Sequence, residues 1–367
     1  MFPGINDAVR AAMRPSAADL EPYDPAFLPA SINLSANENG YGMPDDVQAH
    51  VEAALAKVVA NRYPQPLSDA LRSELAAWHG VDPDQVMVGN GGDELLFNLL
   101  LAFGGRDHAL VNLPPTFSMY RLYAQLLETA VVDVPRDPDS FAVDVDALVT
   151  AARAASLVIV TSPNNPTGDL FPIGDTRRLC EACPGIVLLD EAYVEFAPEG
   201  STAAPLLPEF ENLAILHTLS KAFCLAGARI GYVLGSPSVV SALATVRQPY
   251  SVNALSQAAA LEVVRDRMSF SATIEEIEAE RERLAGGLRQ LAGLGVRVWP
   301  SAANFLLVRV PGAHEVHRQL RDERSILVRD FSATPGLDGC LRMTVGTPQE
   351  NDAVLSALAE ILKGGSR

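Results

Sequence analysis

Between about Asp45 and Gly235 the chain alternates helical stretches with short runs that stay apolar at consecutive positions, and no other feature restricts its fold as tightly. Helical stretches such as Leu67–His79 and Asp93–Phe103 lie among the runs Gln85–Val88, Ala109–Leu113, Leu157–Val160, Ile186–Leu189, Ala214–Leu216 and Ile230–Leu234. A strand with one wet face shows apolar residues at every second position. Several of these runs are apolar on both faces, which suits strands buried between two helical layers. Alternation of this kind predicts an α/β unit with a mostly parallel sheet.

The character changes after about Tyr250. A charged helical stretch over Glu275–Leu291 is followed by alternating strands at Val296–Trp299, Asn304–Val310, Ile326–Arg329 and Leu341–Val345, then a closing helix near Asn351–Leu362. This reads as a smaller α+β domain. With 367 residues the chain exceeds what one small core serves. The expected division is an N-terminal arm over 1–44 contributing to the small domain, a large domain over 45–249 and a small domain over 250–367. The segment Met1–Tyr41 is Pro-rich and is expected to be irregular, wrapping over the body.

Hydrophobic residues make up 48% of the chain and charged residues 20%, enough for a buried core with a solvated surface. The formal net charge of −17 argues against nucleic-acid or membrane-surface binding, since both need a basic face. An anionic ligand would therefore need a local cluster of Arg and Lys. No run near Met1–Pro25 resembles a signal peptide, and Leu95–Phe103 is too short to span a bilayer, so a cytoplasmic protein is expected. Cys180 and Cys183 form a CxxC pair with no second pair or nearby His to complete a zinc site. The pair also falls near a helix C-terminus, which disfavours a thiolate. His314 and His317 are read as solvated residues of a surface helix.

Three motifs fall at strand ends, where open α/β sheets hold their ligands. They are Ser162–Gly168 (SPNNPTG), Asp190–Tyr193 (DEAY) and Thr218–Arg229 (TLSKAFCLAGAR). A fourth, Gly89–Glu94 (GNGGDE), opens a helix. A Gly-rich turn at a helix N-terminus presents backbone N–H groups to an anion such as phosphate. Thr218 and Ser220 add hydroxyls, and Arg229 adds a guanidinium. A desolvated Lys221 near other cations is an imine-forming amine. Asp190 at a buried strand end can keep a pyridine nitrogen protonated, with Tyr193 and Asn165 on either side of a ring oxygen. Taken singly, each is an ordinary cap or turn. Their order, each after its own strand, is what carries the chemistry.

With these residues the chain resembles the fold-type-I pyridoxal-phosphate-dependent aminotransferases, and within them the branch that acts on histidinol phosphate. The resemblance runs over nearly the whole chain. Besides the motifs above it rests on Leu20–Tyr23, Asn37–Gly42, Arg62–Pro64, Pro115–Tyr120, Ala303–Phe305, Val328–Asp330 and Leu341–Thr347. It implies a large domain with a mostly parallel sheet plus a smaller α+β domain, and pyridoxal 5'-phosphate as cofactor. Lys221 would carry the cofactor and move the proton, Asp190 would pair with the ring nitrogen, and Tyr193 and Asn165 with the ring oxygen. Phe117 would stack on the ring. Gly92, Asp93, Thr218, Ser220 and Arg229 would hold the cofactor phosphate. Tyr63 would reach the phosphate of a neighbouring subunit, making the enzyme a homodimer with shared sites. Arg342 would bind the substrate carboxylate, and Tyr23 and Arg329 the substrate phosphate. No metal is implied.

The chain departs from the branch at three places. Phe117 replaces the usual Tyr, Gly40 a Pro, and His217 an Arg. Three alternatives are weighed against the expected exchange between histidinol phosphate and 2-oxoglutarate. An aromatic aminotransferase would need no phosphate clamp. A threonine-phosphate decarboxylase is suggested by Ser35–Asn39 and Pro249–Ala254, but Thr218–Phe223 and Leu341–Thr347 fit the aminotransferase branch better. A regulator built on the same fold would need a basic helical segment, and the first 40 residues offer none.

Overall fold

The computed structural model describes residues 4–18, 20 and 28–364. The first strand, β1 (Ile32–Leu34), lies inside the segment expected to be irregular, and the short helices Asp7–Ala12 and Pro15–Ala18 precede it. Three residues give too little periodicity to read as a strand. β1 is fixed by a partner almost three hundred residues away.

Seven strands follow: β2 (Val86–Gly89), β3 (Ala109–Asn112), β4 (Ala130–Asp133), β5 (Leu157–Thr161), β6 (Ile186–Asp190), β7 (Leu213–Thr218) and β8 (Gly231–Gly235). They form one sheet in the order β2-β8-β7-β6-β5-β3-β4, with β8 antiparallel to both of its neighbours and the other pairs parallel. The runs apolar on both faces divide as a sheet between two layers requires. Leu157 and Ile159 join Leu95, Leu96 and Leu99 of the helix Gly92–Phe103 on one face. Val158 and Val160 join Leu179 and Phe196 on the other. The sequence reading missed β4, a largely exposed edge strand with no buried side to mark it.

The last four strands are β9 (Arg297–Val298), β10 (Phe305–Arg309), β11 (Ile326–Asp330) and β12 (Cys340–Thr344). With β1 they make a second sheet in the order β1-β11-β12-β10-β9, where β1 runs parallel to β11 and the rest are antiparallel. Leu34, Leu306, Val328 and Met343 pack there against Leu284 and Leu288 of the helix Ser271–Gln290 and Leu358 of the helix Pro348–Gly364. The helix Ala254–Arg265 packs instead on the helices Asp45–Leu55 and Asp69–His79 beside the large sheet.

Cys180 ends up buried in the helix Ile173–Ala182 and Cys183 caps that helix. Burial raises both thiols, Cys180 to about 12, so neither is poised as a thiolate. His314 is solvated, but His317 is not: its side chain is 14% exposed, 4.0 Å from Asp330. On the helix His317 lies next to the buried stripe of Ala313, Val316 and Leu320, whereas His314 is turned about 60° further from it. Among the described residues no helix is long and apolar enough to cross a membrane.

Candidate active site

β5, β6 and β7 are parallel, so their C-terminal ends share one edge. Thr161 lies opposite Asp190, and Asp190 opposite Leu216. This register brings the loop Ser162–Gly168, the turn after Asp190 and the segment Thr218–Lys221 together. Asp190 is buried, and its carboxylate accepts from Tyr120 Oη at 2.6 Å and from the Ala192 N–H at 3.1 Å. Burial raises its pKa to about 6, with the Tyr120 hydrogen bond opposing the rise. Among the described residues no cation pairs with this carboxylate.

Lys221 Nζ donates to the Ala36 carbonyl at 2.8 Å. Desolvation, and then the nearby Arg342 cation, lower its pKa to about 8. Tyr193 Oη accepts from Asn37 Nδ2 at 3.1 Å and Asn165 Nδ2 at 3.4 Å, and burial raises its pKa. Arg342 in β12 donates to Asn165 Oδ1 and to the Ser35 carbonyl, both at 2.6 Å. Its guanidinium lies 5.4 Å from the Phe305 ring centre. Arg329 stands directly opposite Arg342 across the β11–β12 pair.

Asn37 ties the three parts together. It takes a left-handed backbone conformation (φ 55°), which Asn tolerates better than most residues. Besides Tyr193 it bonds Thr344 of β12, and its carbonyl accepts from Asn304.

The helix Gly92–Phe103 begins at the same edge. Gly91 has φ +83°, and a Cβ there would come within 2.7 Å of Arg229 Nη2. A Cβ on Gly231 would come equally close to the Gly92 nitrogen. No side chain of the N-cap residue caps this helix, and the Arg229 guanidinium lies against Gly91 at its start. Thr218 Oγ1 donates to Ser220 Oγ at 2.9 Å. Arg229 itself is left-handed (φ 57°), an outlier of the kind that marks functional sites, and its Nη2 reaches Asp93 at 3.3 Å.

Phe117 is half-buried, its ring edge-on to Tyr120 at 5.6 Å. Tyr63 stands apart: it is 82% exposed and stacks on Tyr250 at 4.6 Å. Tyr23 lies outside the described residues. Sequence reasoning gave no role to Tyr120 or Asn37. Both sit in motifs that carry the resemblance, Asn37–Gly42 and Pro115–Tyr120, and could be singled out there. Tyr120 looks like any apolar helix residue until its hydroxyl is seen on Asp190.

The class I and II aminotransferase family matches residues 29–358. The chain is 38% identical over 341 residues to a histidinol-phosphate aminotransferase of Caldanaerobacter subterraneus, covering 93% of this chain and 95% of that one. A solved histidinol-phosphate aminotransferase of Sinorhizobium meliloti in complex with pyridoxal-5'-phosphate superposes with TM-score 0.87 at 26% identity, covering 96% and 98%. This chain belongs to the class I and II aminotransferases. A solved L-threonine-O-3-phosphate decarboxylase of Porphyromonas gingivalis is similar at TM-score 0.79 and 27% identity, over 90% and 99%. The two sheets are those of the fold-type-I architecture, and this aminotransferase uses pyridoxal phosphate.

Its residues fit that cofactor. A helix N-terminus with no N-cap side chain, beside the Arg229 guanidinium, suits a phosphate. A buried carboxylate without a cation suits a protonated ring nitrogen. The desolvated amine of Lys221 suits attachment to an aldehyde.

Proposed function

We infer that this aminotransferase exchanges the amino group between histidinol phosphate and 2-oxoglutarate in histidine biosynthesis. The observation that carries the substrate is the full-length likeness to histidinol-phosphate aminotransferases, and the facing pair Arg329 and Arg342 supports it. When bound, pyridoxal phosphate supplies an electron sink that makes the substrate's Cα proton acidic.

The remaining work falls to the chain's own residues. Lys221, with its pKa near 8, has a usable neutral fraction at neutral pH; it would take the substrate's Cα proton and return it at the cofactor C4′, on the far side of the nitrogen. Asp190 keeps the ring nitrogen protonated, and Tyr120 keeps Asp190 an anion and correctly aimed. Tyr193 and Asn165 hold the ring oxygen. Gly92, Asp93, Thr218, Ser220 and Arg229 grip the cofactor phosphate, and Phe117 covers one face of the ring without the hydroxyl a Tyr would add.

Arg329, with Tyr23, takes the substrate phosphate. Histidinol phosphate has no carboxylate, so Arg342 serves the phosphate in that half-reaction and the α-carboxylate of glutamate in the other. Tyr63 serves the cofactor phosphate of a second copy, in a cytoplasmic homodimer. The domains are the arm 1–44, a large unit from 45 and a C-terminal unit. Because the helix Ala254–Arg265 packs beside the large sheet, we assign it to the large unit and end that unit near 270 rather than 249.

The likeness to the decarboxylase keeps threonine phosphate as a second substrate class, one that also carries a phosphate. Purified holoenzyme offered histidinol phosphate, phenylalanine and threonine phosphate, each with 2-oxoglutarate, decides. Histidinol phosphate should give the highest kcat/KM. Carbon dioxide release from threonine phosphate, or faster transfer from phenylalanine, overturns the assignment.

A further inference from the structure

Behind the strand ends lies a buried charged cluster that the catalytic reading leaves unused. His217, the next-to-last residue of β7, is 3% exposed. Its Nε2 lies 3.1 Å from Glu191 Oε2, and its Nδ1 lies 3.7 Å from Glu195 Oε1. Glu191 is as buried as His217 and also accepts from Thr202 Oγ1 at 2.6 Å and the Ala203 N–H at 2.7 Å. The Nε2 contact is of hydrogen-bonding length though poorly aligned, the Nδ1 contact is longer, and hydrogen bonding and charge together join the three side chains.

The other groups around the ring offer no substitute cation. Tyr232, opposite in β8, stacks on His217 at 5.2 Å, and its hydroxyl is 2.9 Å from His79 Nε2. Burial, then the charges of His217 and Arg267, lower the His79 pKa to about 3, so that ring is neutral. Arg267 lies over Trp78 and makes no ion pair with either glutamate. Among the described residues His217 is the only basic side chain in ion-pair contact with Glu191 or Glu195. Burial alone would discharge the imidazole. The two carboxylates outweigh it and raise its pKa to about 9.

The two glutamates flank the residues that matter. Glu191 follows Asp190, and its N–H donates to the Leu216 carbonyl at 2.9 Å. Glu195 comes two residues after Tyr193. His217 immediately precedes Thr218, with Ser220 and Lys221 just beyond. We propose that His217 is a positioning residue: as an imidazolium it clasps Glu191 and Glu195 and so fixes the turn carrying Asp190 and Tyr193 against the segment carrying Thr218, Ser220 and Lys221. This rests on the reading of Asp190 and Tyr193 as cofactor partners.

The test compares native protein with His217→Gln, which removes the charge, and His217→Arg, which makes it permanent. The ring's protonation is read by 15N shifts, and the denaturation midpoint is followed with pH, both without added cofactor. A histidine whose folded pKa is raised stabilises fully below its unfolded value of about 6.5 and loses that contribution as pH rises through about 9. The native midpoint should fall across that window. His217→Arg should lack that fall, and His217→Gln should lack it too but from a lower midpoint. In the holoenzyme at pH 8, His217→Gln should lose about tenfold in kcat with KM little changed, and His217→Arg should recover it. A native ring that is neutral at pH 7.5, or an Arg variant no better than Gln, overturns the proposal. Should the Gln variant fail to fold, the native ring state and the Arg midpoint profile still decide. If Asp190→Asn leaves turnover intact, the reading of the site fails, while the clasp stands on its cofactor-free measurements.

Discussion

The two walls of the active site are built differently. The wall formed by the ends of β5, β6 and β7 is mostly local, with Tyr120 reaching Asp190 across 70 positions as the exception. Asp190 bonds the N–H two residues on, Thr218 bonds Ser220, and Asn164 bonds Thr167. The wall facing it is assembled from distant segments. Arg342 reaches Asn165 across 177 positions and Ser35 across 307, and Asn37 reaches Tyr193 across 156. On the proposed reading, the chemistry shared by any aminotransferase rests on the first wall. On the same reading, what distinguishes one substrate from another rests on the second, through Arg329 and Arg342 of β11 and β12.

The hardest way to break this division is to remove the amine. Lys221→Ala should lose about three or more orders of magnitude in turnover, because no other Lys is among the residues converging on this edge. Cofactor should still bind through the Arg229 cradle, and borohydride should no longer fix it to the chain. Turnover within tenfold of native would displace Lys221 from its role.

Asp190→Asn comes next. It keeps the shape and removes the charge, so kcat should fall about a hundredfold or more at saturating cofactor. Tyr120→Phe is the milder version. Burial raises the Asp190 pKa, and the Tyr120 hydroxyl counters it. Losing that hydroxyl should raise the pKa further, so the carboxylate is protonated at higher pH. Turnover should then fall about tenfold, most at the acid end of the pH profile. An unmoved acid limb would make Tyr120 a packing residue only.

The opposite wall should separate substrates. A charge-assisted contact to phosphate contributes about 1.5–3 kcal/mol, or roughly ten- to a hundredfold. Arg329→Ala should cost that factor in kcat/KM for histidinol phosphate and leave phenylalanine nearly unchanged. Arg342→Ala should harm both. Equal damage to both substrates by Arg329→Ala would favour an aromatic aminotransferase.

Legibility in the sequence follows the same division. Strands β5, β6 and β7 were readable because burial on both faces leaves continuous apolar runs, and the motifs sit at their ends. β1 was not, because three residues have no period and its pairing with β11 is remote. β4 was lost at an exposed edge. Asp190 and Lys221 could be named from their neighbours in the chain. Tyr120 closes the motif Pro115–Tyr120, but nothing in its helix tells a core tyrosine from one whose hydroxyl meets a carboxylate. His217 was visible as a departure from the family pattern, but its two glutamates were not visible as its partners.

The smallest expected effect concerns a residue on neither wall. Tyr63 is 82% exposed and braced by Tyr250, an unusual display for a large ring unless something covers it. If it donates one neutral hydrogen bond to the cofactor phosphate of a second copy, Tyr63→Phe should cost only about threefold in turnover. Mixing makes so small an effect decisive. A Lys221→Ala protomer carries an intact Tyr63, and a Tyr63→Phe protomer carries an intact Lys221. After random re-pairing, about half of the dimers are mixed, and each holds one site free of both defects. The mixture should then run at about twice the average of the two parents. If Tyr63 served its own chain, every site with a working lysine would still lack the hydroxyl, and the mixture would equal the average. That result, or a monomer of full activity in sedimentation, would return Tyr63 to a plain surface residue.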